Sequence, residues 1–207
     1  MTDELLTYLE STTAHNPILE QAYEDAHEFG LITPDSMTGQ LLTTLAASTQ
    51  AQATIAVTPA VNVVGLYLLA GLADDGILTC VDPEPEHQQL AKDAFRTAGY
   101  SPGRIRFLPS RPLDVMGRLA HNSYQIIVAE VSPMDVKALV DAALPLLTNG
   151  GSIVLPDVLF DGTLLDESRT DRDTLAAKEA DEYIRSLDDV HVTRLPLGTG
   201  MIIVTKH

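Results

Sequence analysis

Apolar positions along this 207-residue chain change their period near residue 53, and the change separates two kinds of segment. Before it the spacing is helical: Leu5, Leu6 and Leu9 recur on one face, and Ile18, Leu19, Ala22 and Ala26 repeat the pattern until Gly30 stops it. TPDSMTGQLLTTLAAS then opens with cap-type residues at Asp35 and Ser36 and carries Leu41, Leu42 and Leu45 on one apolar face. From Ala53 short apolar runs alternate with amphipathic ones. ATIAV, GILTCV, RIRFL, YQIIVAEV and SIVLP, the last preceded by a turn at NGG, read as strands. VVGLYLLAGL, PEPEHQQLAKDAFRTAGY, PLDVMGRLA and PMDVKALVDAALPLL read as the helices between them. That alternation predicts a parallel sheet covered on both faces.

After a polar segment, DGTLLDESRTDRDT, a helix near Leu175–Leu187 precedes two further strands, VHVTRLPL and MIIVTKH. Only Gly198, Thr199 and Gly200 separate these strands, too few residues for a right-handed crossover. They must therefore pair antiparallel as a hairpin. One domain over residues 1–207 is expected, with helices in 1–50 and an α/β core in 51–207, since no repeat or linker interrupts the rhythm.

Composition narrows the partners more than the fold. A formal charge of −16 disfavours nucleic acid and anionic membranes, which reward clustered Lys and Arg. The acidic start MTDELLTYLE is unlike a secretory signal, and the longest apolar run, Val57 to Ala73, is broken by Pro59, Asn62 and Gly65. The single cysteine, Cys80, has no partner for a disulfide and reads as a small buried hydrophobe, in keeping with a reducing cytoplasm. HxH, HExxH, GxSxG and Walker A patterns are absent from the sequence. Glu84, Glu86 and the acidic run from Asp171 to Glu182 read as solvated helix faces.

GLADDGILTCVDPEPEHQQLAKDAFRTAG, DAALPLLTNGGSIVLPDVLFDG and RLPLGTGMIIV resemble the small bacterial S-adenosylmethionine-dependent O-methyltransferases related to catechol and caffeoyl-CoA O-methyltransferases. The resemblance runs from about Thr33 to the C-terminus. It implies a class I methyltransferase fold, Rossmann-like and mostly parallel with a C-terminal antiparallel hairpin. It also implies S-adenosylmethionine as cofactor, a small-molecule hydroxyl as acceptor, and a homodimer to which N-terminal helices contribute. The stripe of Leu5, Leu6 and Leu9 suits such an interface, and core packing explains it equally.

Carried over position by position, the family's motifs meet changed residues. The first cofactor loop becomes Ala56, Val57, Thr58, Pro59, Ala60, Val61 and Asn62, with Thr58 where the family has glycine. Proline removes a donor and β-branched valines resist positive φ, whereas Asn62 tolerates the left-handed region. The segment reads either as a cofactor loop or as a turn packed by its own side chains. Asp82 matches the acidic residue that, in the family, bonds the ribose hydroxyls; it could instead cap the following helix. Arg111 falls beside the adenine position, followed by Pro112, and could instead pair with an acid or face solvent.

The family's metal-binding aspartates and catalytic lysine meet Glu130, Pro133, Pro156 and Asp157. Glu130 and Asp157 could offer two oxygens to a divalent ion, with the rest from water; Mg²⁺ is not expected to be held. Lys137 lies one helical turn beyond Pro133 and is the candidate for a displaced base. Three functions stay open: a divergent O-methyltransferase, a pseudo-methyltransferase kept for binding or regulation, and a site refitted to another small ligand.

Overall fold

In the computed structural model of the protein, which describes residues 3–14 and 16–207, the N-terminal part forms three helices. These are α1 (Asp3–Thr12), α2 (Pro17–Glu28) and α3 (Ser36–Ser48). Asn16 caps α2 by accepting from the Leu19 amide at 2.9 Å, and Asp35 caps α3 by accepting from Thr38 at 2.6 Å. Gly30, at φ +69°, ends the turn after α2 in the left-handed region that glycine enters without strain.

The core follows as β1 (Ala53–Val57), α4 (Val61–Gly71), β2 (Ile77–Val81), α5 (Pro85–Thr97) and β3 (Ile105–Leu108). It continues through α6 (Pro112–Val115), β4 (Tyr124–Ala129), α7 (Val136–Ala143), β5 (Leu147–Leu155), α8 (Arg172–Arg185), β6 (Val190–Leu195) and β7 (Met201–Lys206). The strands make one seven-stranded sheet in the order β3-β2-β1-β4-β5-β7-β6. The first five run parallel, and β7 inserts antiparallel between β5 and β6, so the terminal hairpin pairs as its short turn requires. The mostly parallel class I sheet with helices on both faces is therefore the observed architecture.

The twofold alternation of each strand feeds two cores. On one face Ala56, Leu78, Cys80, Ile126 and Val154 pack under α2, α3, α4 and α5. On the other, Ile55, Val57, Ile127, Ile153 and Val204 pack under α7 and α8. Cys80 is fully buried, and burial pushes its thiol well above the ordinary range, which fits the small-hydrophobe reading. α4 is buried on nearly every side, which is why its sequence is apolar all round.

Two local expectations are corrected. NGG lies inside β5, where the register against β4 shifts by three residues between Tyr124 and Ile126 and Gly150 takes φ +78°, so an irregular excursion within the strand stands where a turn ahead of it was expected. The loop after β1 also uses no left-handed residue: none of residues 58–63 has positive φ. Pro59, Val61 and Val63 consequently sit there without backbone strain, and no glycine is needed to make the turn.

Candidate active site

Two cavities open at the carboxyl ends of the parallel strands, the edge at which open α/β sheets bind ligands. The first, about 600 Å³, is walled by residues following each of β1 to β4: Thr58 and Pro59, Asp82 and His87, Arg111 and Leu113, Glu130 and Ser132. The second, about 460 Å³, lies between the ends of β4 and β5 and the inner face of α8. Its walls are mostly apolar and include Leu31, Val136, Phe160, Ala180, Ile184 and Ile202. Pro59, Glu130, Val131 and Ser132 line both, so these residues form the partition.

Glu130 is the chemical centre of that partition. Its amide donates to Val57 O at 2.8 Å, extending the β1–β4 ladder by one residue and fixing the backbone. Thr58 Oγ1 donates to Glu130 Oε2 at 2.7 Å, and the same hydroxyl accepts from the Ala60 amide at 3.1 Å. Burial raises the Glu130 carboxyl, the Thr58 bond partly offsets this, and the nearby Asp157 charge raises it further, to about 7. A carboxylate with that affinity can take up and release a proton near neutrality.

Asp82, at the end of β2, is 5% exposed. Its Oδ2 meets His87 Nδ1 at 2.6 Å, and its Oδ1 accepts weakly from the Glu84 amide at 3.4 Å. Gln88 Nε2 donates to Asp82 O at 2.8 Å, so the first turn of α5 holds both the side chain and the backbone of this residue. Glu84, rather than Asp82, occupies the N-cap position of α5. His87 had no sequence signal beyond its place five residues after an acid.

The other sequence candidates lie in different surroundings. Arg111 is exposed on the rim of the first cavity and forms no ion pair among the described residues. Asn62 is 1% exposed and turns away from both cavities, its Nδ2 donating to Ala22 O at 2.8 Å to join α4 to α2. Lys137 directly follows the cavity-lining Val136, and one residue of helix rotates it about 100° away. Its Nζ lies 5.2 Å from the Tyr183 ring centre and lines neither cavity. Asp181 belongs to the run expected to be solvated, yet it is 4% exposed and lines the second cavity. Arg185 Nε at 3.0 Å and Arg194 Nη1 at 3.3 Å hold it from outside.

Asp157 has φ +56°, and its Oδ1 accepts from Thr199 N at 2.7 Å and Thr199 Oγ1 at 3.1 Å. It clamps the β6–β7 turn, and Asp35 Oδ2 assists by accepting from Gly198 N at 3.1 Å. A Cβ at Gly198 would crowd Asp157 Oδ1, so a side chain there would push the carboxylate off the turn it clamps. The donor set does not fit a catalytic divalent metal. Glu130 Oε2 holds Thr58 and Asp157 Oδ1 holds Thr199, leaving one oxygen on each carboxyl, while Pro133 and Pro156 offer no side-chain ligand. Among the described residues no group of three or more His, Cys, Asp or Glu side chains could hold a metal ion. No helix among them is long and apolar enough to cross a membrane.

The chain matches the O-methyltransferase family over residues 4–207. A relative from Mycobacterium sp. strain KMS, provisionally named an O-methyltransferase, is 34% identical over 204 residues, covering 99% of this chain and 93% of its own length. The crystal structure of a Corynebacterium glutamicum protein superposes with a TM-score of 0.96 at 61% identity, covering 99% of this chain and 96% of that one. The O-methyltransferase TomG from Streptomyces achromogenes, solved in complex with S-adenosylmethionine, superposes with a TM-score of 0.86 over 100% of this chain and 99% of its own. At 20% identity the likeness to TomG speaks for the fold alone. Family match and mycobacterial relative together show that this chain belongs to the O-methyltransferase family.

Proposed function

We propose that the protein transfers a methyl group from S-adenosylmethionine to the hydroxyl of a small acceptor, with Glu130 as proton acceptor and no catalytic metal. The observation that carries this reading is the position of Glu130 on the partition between two cavities, held by Thr58. Family membership and the S-adenosylmethionine bound to TomG support the choice of cofactor.

The first cavity suits that cofactor chemically. Carboxylates of Asp82, Glu84, Asp114, Glu130 and Asp135 line it against one guanidinium, Arg111, which favours a cation such as a sulfonium. Asp82 would accept the ribose hydroxyls, because a carboxylate offers about four lone-pair sites and its present partners use two. Thr58 and Pro59 would border the methionine portion, with Arg111 at the adenine side. Asn62 takes no part, since its amide already serves α2.

When bound, the cofactor supplies an electrophilic methyl on a sulfonium sulfur that leaves as a thioether. Glu130 accepts the acceptor's hydroxyl proton as its oxygen forms the new bond to carbon. Thr58 keeps the receiving carboxylate on the partition, where Pro59, Val131 and Pro133 give it an apolar border. Orientation across the partition supplies most of the remaining acceleration. In this reading the half-open stripe of α1, with Leu5 46% exposed, is the homodimer surface.

Calorimetric titration with S-adenosylmethionine and S-adenosylhomocysteine tests the cofactor. Saturable heat and a raised melting temperature are expected, since ligand at 100 times its Kd adds about 2.7 kcal/mol to stability. Neither heat nor stabilisation at millimolar cofactor overturns the proposal. Turnover is also expected to be unchanged by EDTA; abolition by EDTA with recovery on added Mg²⁺ would refute the metal-free step. A second reading, a fold retained for binding or regulation, is favoured by Pro133 and Pro156 standing where the family places chemistry. It predicts cofactor binding without turnover of any hydroxyl acceptor.

A further inference from the structure

Of the acids lining the first cavity, Asp82, Glu84, Asp114, Glu130 and Asp135, only Asp82 and Glu130 engage another side chain among the described residues. Glu130 is held by Thr58, and Asp82 is held by His87. The grip on Asp82 is nearly all imidazole. His87 Nδ1 stands 2.6 Å from Oδ2, whereas the Glu84 amide reaches Oδ1 only at 3.4 Å, beyond the usual range for a well-formed bond. Gln88 Nε2 bonds Asp82 O at 2.8 Å, which fixes the backbone and leaves the side chain free to turn. A carboxylate only accepts, so Nδ1 is assigned as the donor. Local structure explains the contact. Pro85 opens α5, which makes His87 its third residue, and helical Cα–Cβ bonds tilt toward the N-terminus. A side chain at that position therefore reaches back over the end of β2, and His87 itself lines the cavity.

Resting on the cofactor reading above, we propose that His87 is the positioning residue for recognition of the cofactor's ribose. It holds Asp82 at the angle from which the carboxylate accepts the ribose hydroxyls, and it acts through Asp82. Without the imidazole, the carboxylate keeps only the distant Glu84 amide and turns freely about its side-chain bonds, so binding must order it. The loss falls on the hydroxyls, because the adenine and amino-acid ends of the cofactor meet other walls of the cavity.

Ligands that differ only in the ribose test this inference: S-adenosylhomocysteine and its 2′-deoxy and 3′-deoxy analogues. Calorimetry measures their affinities for the parent, for His87→Leu and for His87→Asn. Asparagine carries an N–H close to the position of imidazole Nδ1, and leucine fills similar space without a donor. Both variants are expected to fold, since His87 lies in the first turn of α5 with its side chain 18% exposed. In the parent, removing a hydroxyl held by Asp82 is expected to weaken binding roughly 10–100-fold, the usual worth of a hydrogen bond to a charged group. In His87→Leu, S-adenosylhomocysteine is expected to bind roughly tenfold more weakly and the deoxy analogues to change far less, so the discrimination shrinks. His87→Asn should restore most of it. Equal weakening of all three ligands in His87→Leu marks general damage to the pocket and overturns the proposal. So does unchanged discrimination, or a His87→Asn variant as poor as His87→Leu. A parent that binds S-adenosylhomocysteine without telling the three forms apart removes the Asp82–His87 pair from ribose recognition and leaves the cofactor reading intact. A parent that binds none of them removes the cofactor reading and this inference with it.

Discussion

Glu130→Gln is expected to lower the rate of methyl transfer to a fixed hydroxyl acceptor by roughly 10²–10⁴-fold, the usual contribution of a positioned general base. Glutamine keeps the volume and an oxygen for the Thr58 hydroxyl, so geometry survives while the proton-accepting charge is lost. In the unaltered protein the rate should climb with pH through about 7, because the base works only when ionised and burial holds its affinity there. The variant should lack that limb. A rate within tenfold of the parent, or an unchanged limb, would remove Glu130 from the chemistry.

Stability gives the same substitution a second readout. The folded-state carboxyl is raised to about 7 from an ordinary 4.5, so between those values the native state holds a proton that the unfolded chain has released. Stability then falls as pH rises through this window, and the cost is fully present above it. Glu130→Gln removes that cost and is expected to be more stable than the parent above pH 7 by on the order of 1–3 kcal/mol. Below about pH 4.5 the two proteins should converge. Urea titrations at pH 4.5 and pH 8 measure the difference, and a gap independent of pH would contradict the assignment. A less active yet more stable variant is the signature of a buried charge kept for function.

Phe95→Ala should be the most destabilising single change near the site, at about 3–5 kcal/mol for a fully buried aromatic truncated to a methyl. Phe95 is 1% exposed and fills the space that Gly65 leaves in α4, where an added Cβ would stand 2.3 Å from its Cζ. Its ring also stacks on Phe107 of β3 at 6.4 Å between centroids. Removing it leaves a cavity between α4 and α5 that neither helix can close, since both are tied to the sheet. Because the first turn of α5 supplies His87 and Gln88 to Asp82, cofactor affinity should fall as well. A loss below about 1 kcal/mol in urea unfolding would mean that the two helices repack, against the expectation for such a site.

Part of the candidate site is legible in the sequence. Asp82 and Glu130 each end an apolar run, and a residue ending a parallel strand stands at the binding edge whatever the surroundings. The hairpin was legible because three residues cannot carry a crossover. Asn62 and Lys137 lie away from both cavities for a reason that the sequence does not carry. Both sit on helices close to the cavities in sequence, but a helix turns about 100° per residue and their partners, Ala22 and Tyr183, come from distant segments. Asp181 carried no signal at all, since an acid in an acidic helix looks solvated until another element covers it.

The sequence by itself determined the order and type of the elements, the antiparallel end of the sheet and the family, because these follow from periodicity, loop length and local motif. Only the tertiary structure decided what the altered loop after β1 is for. With no positive φ to make, it needs no glycine, and it uses Thr58 to hold Glu130 between two cavities. Only the packed state decided that Asp157 clamps a turn and that Glu130 holds its proton near neutrality. Hydrogen-bond partners and desolvation depend on which distant segments meet, and a one-dimensional pattern does not contain that information.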